Sequence, residues 1–203
     1  MAEFLLELYS EEIPHGLQIS AREELKKNLL KSLEEESIKY KFAEVYSTPT
    51  RLVLLLGDLP SEIKIEEKEI RGPKVGVPEN IIEGFMNSHQ ITKEDLLEKS
   101  EEKGNFYYFK KRAKKILTEE VLTKLIPKVI TSINWKKSMR WSDHNLMWGR
   151  PLRSICAIFN NRHLKFEYHH LVSTDGIIIV DNFIDKIKKV KNFKEYASQL
   201  KAN

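Results

Sequence analysis

A stripe of apolar residues near the start of the chain sets the strongest constraint on its fold. These residues recur at every fourth position: Leu17, Ala21, Leu25, Leu29 and Leu33. Positions four apart lie on the same face of an α-helix, so residues 17–36 are predicted to form a helix with one buried face. The mostly apolar residues 4–9 are predicted to form a buried strand before it. The chain therefore opens with one strand and one helix of a packed core.

Strands and helices follow without the regular rhythm of strand–helix–strand units. Further strands are predicted at 43–48, 51–56, 63–70, 106–112, 152–159, 162–168 and 177–180. Helices are predicted at 79–88, 93–99, 118–133, 183–190 and 192–200. This order favours the α+β class, with a mixed, largely antiparallel sheet and flanking helices. The whole chain, 1–203, is taken as one α+β region with a small inserted helical part at 79–133.

Composition indicates an ordinary intracellular globular protein. Hydrophobic residues make up 41% and charged residues 32% of the chain, which is typical of a packed core with a wet surface. The single cysteine, Cys156, cannot form an internal disulfide, and its apolar neighbours favour a buried core position. No apolar run approaches the roughly 20 residues of a membrane span, and the acidic start lacks a signal peptide's basic residues. A cytoplasmic location without membrane contact is expected.

The positive charge of the chain is concentrated in residues 135–170. The formal net charge is only +4, but this segment holds seven basic residues against Asp143 and Glu167. The basic residues are Lys136, Lys137, Arg140, Arg150, Arg153, Arg162 and Lys165. Four of the chain's eight arginines lie here, and a genomic base composition that favours lysine codons does not explain a cluster of arginines. Clustered basic residues are typical of a surface that faces phosphates.

Motifs for catalysis are missing from the sequence. The eight glycines form neither a GxGxxG nor a GxxxxGKS/T loop, and there is no GxSxG or HExxH motif. Glu11 and Glu12 could serve acid–base chemistry, but helix capping or a surface salt bridge is favoured. A metal-dependent hydrolase using His169, His170 and Asp175 is an alternative. Adjacent histidines on a strand point to opposite faces, which makes them poor ligands for one metal ion. Together with the missing motifs, this leads us to expect no catalytic residue, no metal site and no cofactor in this chain.

Two short motifs combine arginine with tryptophan. In Lys137-Ser138-Met139-Arg140-Trp141, the basic side chains suit RNA phosphates, and an exposed indole could stack on a base. In Trp148-Gly149-Arg150-Pro151, the glycine and proline are typical of a fixed turn that presents an arginine. The alternative for Trp141 is a ring packed in the core, with the basic residues as a solvated rim.

Five motifs occur in the order found in one family. They are Glu11-Glu12-Ile13-Pro14, Thr48-Pro49-Thr50-Arg51-Leu52, Arg71-Gly72-Pro73, Lys137-Ser138-Met139-Arg140-Trp141 and Arg150-Pro151. On these residues the chain resembles the N-terminal portion of the β subunit of bacterial heterotetrameric glycyl-tRNA synthetase, or glycine–tRNA ligase. The family's Gly-His-Arg-Phe motif, expected after His170, is absent. The family's HD-like middle region and anticodon-binding C-terminal region also have no counterpart in this sequence.

The resemblance implies a role within a larger enzyme. In this family the α subunit holds the class II active site and uses ATP, Mg and glycine. The β subunit supplies recognition of tRNA(Gly) and completes a tetramer of two α and two β subunits. Its N-terminal region looks similar to the B3/B4-type α+β module of another synthetase. The chain is therefore expected to be a non-catalytic portion of glycine–tRNA ligase, with the α subunit and tRNA(Gly) as its partners.

Two hypotheses assign different roles to the arginines. In the first, RNA is contacted by Arg140, Trp141, Arg150 and Arg153, with weaker contributions from Arg51 and Arg71. In the second, the region is a purely structural module that docks onto the α subunit or the remainder of β. Arg51, Arg71 and Arg150 then pair with carboxylates such as Glu7, Glu11 or Glu12.

Overall fold

A computed structural model describes residues 2–65, 68–89, 91–101, 104–111, 114–141, 145–181 and 184–202. The chain divides into two compact units. The main unit comprises Met1–Ile63 and Leu117–Asn203, and the inserted unit comprises Lys64–Ile116. Both units combine helices with antiparallel strand pairs, which confirms the α+β prediction and its largely antiparallel sheet. The likeness to a B3/B4-type module stays a prediction.

The elements up to the end of the inserted unit are β1 (Ala2–Ser10), α1 (His15–Glu35), β2 (Phe42–Thr48), β3 (Arg51–Leu59), β4 (Glu62–Ile65), β5 (Lys68–Lys74), α2 (Glu79–His89), a 3₁₀ turn (Lys93–Asp95), β6 (Leu96–Glu101), β7 (Gly104–Lys111) and β8 (Lys114–Leu117). The remaining elements are α3 (Thr118–Thr131), β9 (Met139–Arg140), β10 (Met147–Trp148), β11 (Leu152–Phe159), β12 (Arg162–His163), β13 (Glu167–Tyr168), β14 (Leu171–Val172), β15 (Gly176–Asp181), β16 (Ile184–Lys189) and α4 (Phe193–Lys201).

The main unit is built on a five-stranded sheet in the order β12-β11-β1-β3-β2, with every neighbouring pair antiparallel. Its central strand, β1, is buried on both faces, since neighbouring Leu5 and Leu6 are both fully enclosed. A strand covered on both faces needs a nearly continuous apolar run, and residues 4–9 supply one apart from Glu7. The predicted strand is therefore confirmed.

One face of this sheet is covered by α1 and α3. The predicted leucine stripe is confirmed, because Leu25, Leu29 and Leu33 of α1 have no solvent exposure and join the same core as Leu6. The helix begins at His15, directly after Pro14, whose carbonyl accepts the backbone N–H of Leu17 and Gln18. Proline suits this position because it lacks a backbone N–H and disfavours a helical conformation in the residue before it.

The opposite face of the sheet is covered by the two-stranded β15–β16 ribbon and by α4. A second apolar cluster lies here and includes Leu5, Val53, Cys156, Ile177 and Tyr196. Cys156 is buried as predicted, and burial raises the pKa of its thiol. Among the helices within the described ranges, none has the length and apolar character needed to cross a membrane.

The inserted unit is a three-stranded antiparallel sheet, β5-β7-β6, with α2 against one face. Phe85 and His89 of α2 form edge and tilted ring contacts with Phe109 of β7, with centroids 6.3 and 5.3 Å apart. The inserted helical part predicted at 79–133 overlaps this unit only at 79–116. Residues 117–133, which include α3, belong to the main unit.

Three local predictions are wrong. Residues 93–99 form a 3₁₀ turn and the start of β6 instead of a helix, although the capping interaction of Thr92 with Asp95 is present. Of the helix predicted at 183–190, residues 184–189 are strand β16, and residue 183 lies outside the described residues. Arg71-Gly72-Pro73, whose glycine and proline predict the start of a loop, instead lies within β5, beside a register shift. Each misassigned segment is short, and cross-strand pairing overrides the weak helical or loop preference of its residues.

Candidate nucleic-acid interface

Trp148 anchors the segment that carries the predicted RNA contacts. Its side chain is fully buried, and its Nε1 donates a hydrogen bond of 3.2 Å to the hydroxyl of Ser10 at the end of β1. Its ring meets Trp135 edge-on, with centroids 4.8 Å apart. A Cβ at Gly149 would approach the Trp135 ring to 2.4 Å, so glycine permits this packing. The position of Arg150 is therefore set by buried neighbours.

The Lys137–Trp141 motif lies against this anchor through a short strand pair. In the β9–β10 pair, Arg140 faces Met147 and Met139 faces Trp148. Trp141 is half-buried, and its Nε1 donates a 2.9 Å hydrogen bond to the carbonyl of Trp148. The Trp141 ring thus packs against the core and also lines a groove at the surface, and its contact with RNA stays a prediction.

A groove of about 600 Å³ opens beside this segment. It is lined by Glu11, Glu12, Pro14, Trp141, Arg150 and Pro151. The backbone N–H of Glu11 donates to the carbonyl of Pro151 at 2.9 Å, which holds the exit of β1 beside the entry of β11. The antiparallel β1–β11 pairing therefore brings together two motifs that lie far apart in the sequence.

The charged residues around the groove differ in how far they are already paired. Arg153 contacts Glu11 at 3.4 Å and Asp185 at 2.5 Å. Arg140 and Arg150 are exposed, and neither forms an ion pair with a carboxylate within the described ranges. Glu12 is exposed as well. The groove thus contains the Trp141 indole and the Arg150 guanidinium, which no described carboxylate neutralises. Arg140 in β9 carries a second guanidinium without a described carboxylate partner.

Comparison with protein families matches residues 4–203 to the family "Glycyl-tRNA synthetase beta subunit". The chain belongs to this family. It is similar to the glycine–tRNA ligase beta subunits of Rickettsia akari (strain Hartford), at 36% identity over 206 residues, and Rickettsia bellii (strain OSU 85-389), at 35%. These alignments take in 100% of the chain but only 30% and 31% of the relatives. The resemblance to an N-terminal portion of glycyl-tRNA synthetase β is confirmed.

Arg51 does not lie at the candidate interface. It is only 7% exposed, and its Nη1 donates to Glu7 at 2.7 Å. Its Nη2 donates to the carbonyl of Ile178 in the ribbon, and Tyr196 of α4 donates to the same Glu7 at 2.5 Å. An RNA phosphate could reach Arg51 only by displacing these partners, so the expected RNA contact does not fit its position. The pairing with Glu7 agrees with the second hypothesis.

The buried cluster has an unusual electrostatic balance. Burial raises the pKa of Glu7, while the Arg51 charge and the Tyr196 hydroxyl oppose that change. Burial and the adjoining Glu7 carboxylate raise the pKa of Tyr196, so its hydroxyl stays protonated and keeps donating. Nothing in the sequence pointed to Tyr196, which lies 189 residues from Glu7.

Arg71 lies in the inserted unit. Its guanidinium contacts Glu101 at 3.2 Å and stacks over Phe106 at 3.7 Å from the ring centroid. It pairs with none of Glu7, Glu11 and Glu12, which the second hypothesis named as partners. Its neighbours give it a different environment from that of Arg140 and Arg150.

The alternative metal site has no support in the described residues. His169 and His170 lie in the turn between β13 and β14, with His169 at a positive φ of 53° and edge-on to Tyr168. Asp175 instead contacts Lys189 at 2.9 Å. Across the part of the chain that the structure describes, no group of three or more His, Cys, Asp or Glu is placed to hold a metal ion.

Proposed function

We propose that this region of glycyl-tRNA synthetase β supports the attachment of glycine to tRNA(Gly) by placing the tRNA, while the α subunit carries out the reaction with ATP, Mg and glycine. The region itself supplies no catalytic group. It acts in the cytoplasm within a tetramer of two α and two β subunits. The observation that carries the proposal is a pair of exposed arginines: Arg150, which lines the groove together with the half-buried Trp141, and Arg140, which precedes Trp141 in the chain.

Both arginines suit phosphate contacts for the same physical reason. An arginine already held by a carboxylate must give up that contact to bind a phosphate, whereas Arg140 and Arg150 have no such partner among the described residues. Their backbones are positioned by the Trp148 anchor and by the β9–β10 pair. Preorganised cations lose less conformational entropy on binding RNA than cations on long mobile loops.

The described lining of the groove supports a role in binding rather than in chemistry. Its two carboxylates are Glu11, which contacts Arg153, and Glu12, which is exposed. Neither shows the enclosed setting that tunes a carboxyl group for proton transfer. Among the described lining residues there is no serine, cysteine, lysine or histidine to serve as a nucleophile.

The salt dependence of tRNA binding tests the proposal. Each phosphate contact contributes about 1 to the slope of log K against log salt, so Arg140→Gln and Arg150→Gln should each lower the slope by about 1. Arg162→Gln is the matched control, because Arg162 is also exposed but lies in β12, beyond the opposite end of β11. Unchanged slopes for both test variants would remove the RNA role from this surface.

A second candidate function is docking onto the α subunit or the remainder of β. It is favoured by exposed apolar side chains on the β15–β16 ribbon, namely Val180, Ile184 and Ile187, of which Ile187 is 74% exposed. Co-migration of the chain with a glycyl α subunit, with and without tRNA(Gly), tests this candidate. Ile187→Lys should abolish co-migration, and Val172→Lys, an exposed apolar position on β14, should not.

A further inference from the structure

The inserted unit carries an open sheet face that the groove of the main unit does not involve. Cross-strand pairing places Arg71 opposite Tyr108, and Tyr108 opposite Leu97. The next pair in the ladder on this face joins Phe106 to Lys99. Because side chains alternate along strands, Phe109 points to the other face, where α2 covers it. The two aromatic rings Phe106 and Tyr108 thus lie on the uncovered side.

This face is accessible to solvent. The Arg71 side chain is 46% exposed, Lys99 is 44% exposed, and the apolar residue Leu97 is 45% exposed. Phe106 and Tyr108 are half-buried, and a cationic side chain lies over each ring. Two aromatic rings and a leucine are thus left on an open face, although burying these apolar side chains would stabilise the unit.

Cations lie directly over both rings. The guanidinium carbon of Arg71 is 3.7 Å from the Phe106 centroid, and the Lys99 Nζ is 5.4 Å from that of Tyr108. Lys110 also belongs to this face, opposite Glu69. The outer plane of a guanidinium stacked on a ring is itself a stacking surface for a nucleobase.

We propose that this face binds a short segment of unpaired RNA, with bases stacked on Tyr108 and on the Arg71–Phe106 pair, and with Lys99 and Lys110 turning from Glu69 to the phosphates. Stacking suits any base, because every base has a π face, whereas a duplex hides those faces. Positive charge complements the RNA backbone, although Glu69 and Glu101 neutralise part of it. The site belongs to the inserted unit, whereas the surface proposed for tRNA placement belongs to the main unit.

Binding of a fluorescein-labelled oligouridylate of about eight nucleotides to the whole 203-residue chain tests the inference. Wild type should bind it at low salt, and an unlabelled RNA duplex of equal length should compete poorly. Phe106→Leu and Tyr108→Leu should each weaken binding about tenfold or more, since each removes a stacking surface. Arg71→Gln, which changes an exposed side chain, should weaken binding with little effect on folding.

Tyr107→Leu is the matched control, because Tyr107 adjoins both rings in β7 but points to the opposite face. Thermal melts show whether each variant is folded. Absence of wild-type binding, effective competition by the duplex, or equal loss in the Tyr107 variant would overturn the inference. Arg150→Gln separates the two sites, since it should lower the tRNA salt slope and leave oligouridylate binding unchanged. The inference can therefore fail while the proposed function stands, and the reverse.

Discussion

Two arginines of the main unit, Arg51 and Arg150, show how surroundings divide one residue type between structure and binding. Arg51 lies under the β15–β16 ribbon and is held by Glu7, by the carbonyl of Ile178 and by the ring of Tyr9. Arg150 follows a buried tryptophan, yet its own side chain is exposed and has no described carboxylate partner. The charge of Arg51 is therefore neutralised inside the fold, whereas the charge of Arg150 remains available to a ligand.

This difference predicts opposite responses to mutation. Breaking a buried ion pair leaves an uncompensated charge in a medium of low polarity, so folding stability falls sharply. Removing an exposed cation changes stability little but takes away a phosphate contact. Stability and RNA binding should therefore separate cleanly between the two arginines, and four substitutions of buried and exposed polar groups test this relation between burial and stability.

Glu7→Ala should have the largest effect. It removes the partner of Arg51 and leaves the guanidinium enclosed, which is expected to lower the free energy of unfolding by about 3–5 kcal/mol. Urea unfolding at pH 7 followed by circular dichroism measures the loss. The double variant Glu7→Leu with Arg51→Met should recover only part of it, because apolar residues of similar volume can replace the buried pair but leave the Tyr196 hydroxyl without its acceptor. A loss below about 1 kcal/mol for Glu7→Ala would show that the pair is not enclosed as described.

Tyr196→Phe should have the next largest effect. It deletes the hydroxyl that donates to Glu7 at 2.5 Å and keeps the ring, so the expected loss is about 1.5–3 kcal/mol, the range for a hydrogen bond to a charged group. Tyr46→Phe is the matched control, because Tyr46 also donates to a carboxylate, that of Glu44, but on the exposed surface. It should cost far less by the same unfolding measurement.

The pH dependence of the Tyr196→Phe loss follows from the raised pKa of Glu7. Burial holds this pKa above its ordinary value of 4.5, so the folded state retains a proton that the unfolded state releases. The contribution of Glu7 to stability therefore falls as pH rises from 4.5 through the folded pKa. Removing the Tyr196 donor raises the folded pKa further, so the loss should be smallest below pH 4.5 and largest above the folded pKa. A Tyr196→Phe stability loss that does not change with pH would contradict the hydrogen bond from Tyr196 to Glu7.

Periodicity in the sequence predicts the central part of the fold well. The four-residue spacing from Leu17 to Leu33 predicts a helix and the apolar run at 4–9 predicts a buried strand, and both are confirmed. The β16 strand was missed because lysines alternate irregularly with Ile184 and Ile187, which both remain exposed. Its state is decided by pairing with β15, and no local pattern encodes that partner.

The candidate interface was only partly predictable from sequence. Clustered arginines identified Arg140 and Arg150, which the structure places on exposed positions beside Trp141. Burial then separates Arg51 from them, since an arginine in a β-rich segment carries no local sign of being enclosed. The second hypothesis includes the pairing of Arg51 with Glu7, whereas the hydroxyl of Tyr196 reaches Glu7 through tertiary packing alone.

Asp175→Asn should have a small effect at the start of the ribbon. The Lys189 ammonium, 2.9 Å away, lowers the pKa of Asp175 from its ordinary value of 3.8. The contribution is present above pH 3.8 and is lost as pH falls through the lower, folded pKa. The Lys189 side chain is 80% exposed and that of Asp175 is 37% exposed, so the loss should be at most about 1 kcal/mol at pH 7 and should shrink in high salt. A salt-independent loss in urea unfolding would show a different origin.

Arg150→Ala should change stability least, by no more than about 0.5 kcal/mol, because the anchor of this segment is Trp148 and the arginine side chain has no described carboxylate partner. Thermal melts of wild type and variant should nearly coincide, while binding to tRNA weakens. This combination distinguishes an arginine kept for a ligand from one kept for the fold. A melt lowered as far as that of Glu7→Ala would mean that Arg150 is structural, and the contrast with Arg51 would disappear.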